Sequence, residues 1–210
     1  MMMLVWARDR FDYFDTRPHK KYVLTLLIYI LLLGGCVSSP ERGSGGAQEI
    51  LVMENQSIDM AVRREFDDAL QLMQQERYKE AIVLLQKVLQ ASHKNSAPYI
   101  NIAIAYGKVG EQEKAEEQFM SALQINPSHA VTLNEYALLL RRTGRYKEAR
   151  EQYEKLLKFY PGFMPARRNL GILCELYLRD ANCAIAQYEV YSKANPNDGD
   201  VKLWLTTLKQ

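Results

Sequence analysis

The sequence predicts an all-α protein, a solenoid of about four helical hairpins closed by a C-terminal capping helix. Three observations predict it. The runs YKEAIVLLQKVL, EKAEEQFMSAL and YKEAREQYEKLL repeat one arrangement of charged, small and large residues. Their alanines Ala81, Ala115 and Ala149 lie 34 residues apart, and the next, Ala184, follows at 35. Pro127, Pro161 and Pro196 keep the same spacings of 34 and 35. Two residue types held in phase over successive periods mark a stacked repeat, and the longer last period implies one inserted residue in the fourth unit.

The first element in chain order is a leader. Tyr22 to Leu33 is apolar or aromatic apart from Thr25, and it follows Arg17, His19, Lys20 and Lys21. Twelve helical residues rise about 18 Å, well short of a hydrocarbon core of roughly 30 Å, so a cleaved signal over residues 1–35 fits better than a membrane span. The run ends in Leu33-Gly34-Gly35-Cys36, which resembles the bacterial lipobox. That resemblance implies that Cys36 is acylated, with palmitate-type chains, and becomes the mature N-terminus. Each buried CH₂ of such an anchor gives about 0.8 kcal/mol of membrane affinity. Val37 rather than Asp follows the cysteine, which implies the outer membrane. Residues 36–58 then read as the lipidated cysteine and a Gly/Ser-rich tether.

The helical domain is expected over 59–210, with units at about 62–95, 96–129, 130–163 and 164–198 and the capping helix over 198–209. Unit two places Tyr99, Ile102, Ala103, Tyr106, Gly110, Ala115, Phe119, Ala122 and Pro127 at the repeating positions. Unit three places Leu133, Tyr136, Ala137, Leu140, Gly144, Ala149, Tyr153, Leu156 and Pro161 there. Unit four matches with Leu170, Gly171, Cys174, Ala184, Tyr188 and Pro196. Unit one matches with Ala69, Leu72, Ala81 and Leu85, but holds Asp68 where the others are large and apolar. This pattern resembles the tetratricopeptide repeat, in which two antiparallel helices pair in each unit. The small residues let paired helices approach closely, glycines end first helices, and prolines forbid continuation of second helices. No hairpin buries its apolar face alone, so stability comes from stacking. Asn197 or Asp198 can cap a last helix in which Val201, Trp204, Leu205 and Leu208 share one face.

Composition and motifs then narrow the function. The chain carries a formal charge of +2, and beyond residue 35 it holds 22 basic and 22 acidic residues with no basic stripe. Nucleic-acid binding, which draws on clustered cations, is therefore not expected. His93 and His129 fall near inter-unit turns and read as solvated turn residues. Glu111, Glu113, Glu116 and Glu117 read as solvated charge on an outer face. With no phosphate loop, nucleophile elbow or metal-spaced cluster, no catalytic residue, metal, cofactor or small-molecule substrate is assigned. Cys174 and Cys183 bracket the turn of unit four in a chain read as exported, and two readings stay open, a disulfide or two buried thiols at small-residue positions.

The family resemblance implies a concave groove lined by the first helices. Its positions here are Arg63, Phe66, Leu70 and Met73, then Ile100, Asn101, Ile104 and Lys108, then Asn134, Leu138 and Arg141, and finally Arg168, Asn169 and Ile172. The apolar members are expected as an exposed strip. Asn101 and Asn169 read either as amides for an extended peptide's backbone or as plain polar surface, and Arg141 and Arg168 as contacts for acidic groups. By resemblance to small outer-membrane lipoproteins of this repeat class, the chain is expected to face the periplasm and to scaffold a type IV pilus, motility or energy-transducing machine through periplasmic or outer-membrane proteins. Regulation of peptidoglycan enzymes or of their proteolysis is the alternative.

Overall fold

The computed structural model describes residues 60–210, and every secondary-structure element among them is helical. The expected leader, Cys36 and the expected tether lie outside the described residues. Four antiparallel pairs follow one another: α1 (Met60–Gln74) with α2 (Tyr78–Ala91), α3 (Ser96–Val109) with α4 (Gln112–Ile125), α5 (Ala130–Arg142) with α6 (Tyr146–Phe159), and α7 (Met164–Leu173) with α8 (Ala181–Ala194). A ninth helix, α9 (Gly199–Leu208), packs on α8. Each second helix also packs on the first helix of the next unit, and first helices touch from unit to unit. Asn95, His129, Phe163 and Asp198 precede α3, α5, α7 and α9 at spacings of 34, 34 and 35, so α9 stands where a fifth first helix would.

Small residues sit where the paired helices cross. Ala69, Ala103 and Ala137 on the first helices, and Ala81, Ala115, Ala149 and Ala184 on the second, are fully buried. In unit four the first-helix position is Gly171, and a Cβ there would overlap the fully buried Tyr188 ring. Tyr136 reaches back to the preceding unit, with its ring centroid 5.9 Å from that of Phe119. Asp68 occupies the equivalent place in unit one, where no described unit precedes it, and there it is exposed.

The helix ends repeat as closely as the cores. Gly110 and Gly144 take the left-handed conformation (φ 89° and 81°) at the end of the first helix, and Glu76 (φ 60°) and Arg179 (φ 54°) hold the same position in units one and four. The following amide closes each end by donating to a carbonyl five residues back: Arg77 to Leu72 (2.9 Å), Glu111 to Tyr106 (3.0 Å) and Arg145 to Leu140 (2.8 Å). In unit four it spans six, from Asp180 to Cys174 (2.8 Å). The inserted residue is taken up there by a π-helical turn over Cys174–Leu178, in which Arg179 N–H also donates to Cys174 O. A single extra residue in an α-helix has this signature. Beside it a disulfide joins Cys174 to Cys183 across the hairpin, with Cα atoms 5.9 Å apart.

Side-chain caps hold several helix starts. Asn95 accepts from Ala97 N–H (2.8 Å), Asp180 from Cys183 N–H (3.0 Å) and Asp198 from Val201 N–H (3.1 Å). His129 Nδ1 accepts from Thr132 N–H (3.3 Å), so this histidine caps α5 and is only partly exposed, a correction to its reading as a solvated turn residue. Glu116 is a second correction. Its carboxylate accepts from Arg145 (2.6 Å) and from Tyr136 Oη (2.6 Å), tying unit two to unit three. The Arg145 guanidinium beside it, and then the Tyr136 hydrogen bond, hold its carboxyl below the usual range. Burial, aided by that same bond, pushes the Tyr136 hydroxyl up to about 12.

Candidate functional site

Because the first helices touch in succession, their inner sides form one continuous wall that carries all the groove positions. Arg63 and Lys108 are exposed on it, and Arg141, Arg168 and Asn169 are half-buried. Phe66, Leu70, Met73, Ile100, Ile104, Leu138 and Ile172 are buried, none more than 8% exposed. The expectation of an exposed apolar strip is therefore corrected. All of these residues but Leu138 belong to the hydrophobic core.

The polar members are engaged with one another. Asn101 is fully buried, and its Nδ2 donates to Ala97 O (2.9 Å) within its own helix. Asn169 Nδ2 donates to Asn134 Oδ1 (3.1 Å), and Asn134 Nδ2 donates to Glu135 Oε1 (2.9 Å). These bonds engage the Nδ2 groups of Asn101 and Asn169 within the wall. Glu135 was not among the sequence-predicted positions, yet the 34-residue register places it where units two and four carry Asn101 and Asn169. Burial pushes its carboxyl above the usual range, against the Asn134 hydrogen bond and the nearby Arg142 and Lys108 charges.

The two arginines differ. Arg168 lies 5.1 Å from the Trp204 ring centroid and 3.8 Å from Asp198, so it is committed to the capping helix. Arg141 stands 5.9 Å from the Tyr177 ring centroid, and its Nη1 is buried without a hydrogen-bond partner among the described residues. Tyr153 Oη is buried in the same condition, and burial pushes its hydroxyl well above the ordinary tyrosine range. Buried donors left unpaired are costly; Arg141 lies on the wall of first helices and Tyr153 on α6, so Arg141 is the donor suited to an external hydrogen-bond acceptor. Among the described residues no three His, Cys, Asp or Glu side chains gather as a metal site requires, and no helix is long and apolar enough to cross a membrane.

Family profiles for the tetratricopeptide repeat match residues 97–129 and 130–173. Residues 97–173 are tetratricopeptide repeats. The chain is similar to a probable UDP-N-acetylglucosamine–peptide N-acetylglucosaminyltransferase, SPINDLY, of Solanum lycopersicum, at 28% identity over 68% of this chain but only 15% of that protein. Superkiller complex protein 3 of Mus musculus is 30% identical over 49% of this chain and 6% of its own length. The chain thus spans a small part of these relatives. Coverage is wider for the type IV pilus assembly protein PilF of Pseudomonas aeruginosa, 25% identical over 89% of this chain and 72% of PilF. The solved PilF structure superposes with a TM-score of 0.64 over 70% of this chain and 67% of its own, at 24% identity. MamA of Desulfovibrio magneticus gives the same TM-score at 16% identity over 72% and 85% of the two chains. These superpositions carry the tetratricopeptide fold.

Proposed function

We propose that this chain is a non-catalytic adaptor, lipid-anchored through Cys36 in the outer membrane and facing the periplasm, that holds a protein partner on its concave wall and scaffolds an envelope complex. Type IV pilus assembly is the complex that the sequence relationship favours. The observation that carries the reading is the alignment with PilF, which covers more of the chain than the repeats occupy and so runs into the N-terminal segment that holds the lipobox-like Leu33-Gly34-Gly35-Cys36. Repeats shared with much larger proteins speak for binding. A relationship extending to the leader speaks for the same placement in the cell.

On the wall, Arg141 carries an unmet donor, which suits an acidic or carbonyl-rich segment of the partner. Two measurements test this. Cys36→Ser should abolish lipid labelling and release the chain from outer-membrane fractions; retention there sinks the anchor. Crosslinking in intact envelopes should capture a pilus or other envelope component with the parent chain, and Arg141→Ala should weaken that capture while circular dichroism stays unchanged. Capture of no envelope protein counts against the adaptor.

A further inference from the structure

The turns between helices fall on two opposite edges of the array, because successive helices run antiparallel. The edge with the turns inside units is charged. It carries the ion pairs Arg77–Glu80, Glu111–Lys114 and Arg145–Glu148, together with Asp180, which pairs with Arg150. The edge with the turns between units is different. Residues 88–96, 123–130 and 157–165 contain no Asp or Glu, and acidic residues appear only at the last such turn, as Asp198 and Asp200. Exposed cations stand on this edge at Lys94, Lys158 and Lys193.

Its third turn departs from the repeat. Where the other turns place Ser92, Asn126 and Asn195, this one places Tyr160, preceded by Phe159. Asn126 accepts from Ser128 N–H (3.3 Å) and Asn195 donates to Tyr191 O (3.1 Å), so at this position a short polar side chain serves the turn itself. Tyr160 is instead 42% exposed and Phe159 53%, side by side with ring centroids 6.5 Å apart. The turn is held from elsewhere: the Arg167 guanidinium donates twice to Pro161 O (3.1 and 3.3 Å), and Phe163 N–H donates to Tyr160 O (3.0 Å). Two aromatic rings thus stand about half exposed on a turn that is pinned by other groups.

We infer that this edge is a membrane-contact surface, in which Phe159 and Tyr160 enter the headgroup region of an anionic phospholipid layer and Lys158 and Lys193 meet its phosphates. A phenol prefers the polar–apolar boundary of a bilayer, a phenyl ring the acyl side of it, and the three turns bare of carboxylates avoid repulsion from anionic lipid. A short tether would keep such an edge within reach of the bilayer, so the inference rests on the lipid-anchored reading. It adds an orientation, with the array lying along the membrane on one edge.

The test uses the full lipidated chain reconstituted in equimolar phosphatidylcholine–phosphatidylglycerol vesicles, with Tyr160→Trp as reporter and Val83→Trp, at a residue 53% exposed on α2, as control. Emission is read against the parent chain with and without dibrominated phosphatidylcholine. The expected result is a blue shift and strong quenching for the Tyr160→Trp reporter alone. Lys158→Gln with Lys193→Gln should lower the ratio of docked to undocked protein by about five-fold per lysine, as should phosphatidylcholine vesicles without the anionic lipid. A chain that floats with the vesicles while both reporters are quenched equally overturns the edge contact and leaves the anchor standing. A chain that does not float overturns the anchor first. A Tyr160→Trp shift seen in isolated envelopes but never in vesicles would assign the edge to a protein and overturn the membrane contact.

Discussion

Units three and four share one plan and differ in how the hairpin is closed. In unit three, α5 ends on Gly144, which adopts a left-handed conformation at little cost, and the turn is fastened by Arg145 bonding Glu148 and, across the unit boundary, Glu116. In unit four an extra residue forces a π-helical turn, the left-handed position falls to Arg179, and Cys183 stands where unit three has Glu148. A covalent bond from Cys174 takes over the fastening. At the helix crossing, Gly171 stands against Tyr188, where the same register in unit three holds Ala137 and Tyr153. Stacked repeats support one another, so a departure in one unit is tolerated where a local constraint offsets it.

The comparison breaks most clearly at the disulfide. Closing a loop of this length stabilises by about 2 to 3 kcal/mol, so reduction or Cys183→Ser should lower Tm by roughly 5 to 10 °C. The loss should be seen in hydrogen exchange of α7 to α9 before α1 to α4. Equal loss along the whole chain would mean that unit four is not separately fastened. Gly171→Ala comes next. Its Cβ would meet the Tyr188 ring, which is buried against Trp204 with centroids 5.7 Å apart, and overpacking of this kind costs about 1 to 3 kcal/mol by denaturant unfolding. Gly162→Ala, with no atom near the added carbon, should be close to neutral.

Unit three should answer to acid where unit four answers to reductant. Glu116→Gln removes a partly exposed charged acceptor, and screening holds the cost to about 1 kcal/mol. Its carboxyl is depressed in the folded state, so the contribution is full above the ordinary glutamate value of about 4.3 and fades as pH falls below it. Parent and variant stabilities should therefore converge in acid, and a gap that persists there would assign the loss to packing. The smallest effect has the opposite sign: Arg179→Gly should stabilise by up to about 1 kcal/mol, because glycine takes a left-handed conformation without strain. Gly144→Arg should cost a similar amount.

What the sequence revealed and what it hid divide along physical lines. Ala81, Ala115, Ala149 and Ala184 announced the fold because a close helix crossing tolerates little else, so the same demand recurs at every period. The 35-residue spacing revealed an insertion but not its place, since any site between Gly171 and Ala184 satisfies the count. Asp68 looked like a weak match and is the exposed outer side of the first described unit. Burial of Ile100, Ile104 and Leu138 could not be read from one unit, because it depends on how closely successive first helices approach. Glu116 was hidden for a related reason: its arginine lies 29 residues away, and nothing local separates a bridging carboxylate from a solvated one.

The nine-residue separation of the bonded cysteines bears on how the chain matures. Three cysteines allow three pairings, and the two that use Cys36 must each close a loop of more than 130 residues. Loop-closure entropy favours the short pairing over these by roughly 2 kcal/mol. The bond can form as soon as one hairpin has coiled, before any neighbouring unit is in place. If Cys36 is acylated, its thiol leaves the competition altogether, and oxidation then has a single product.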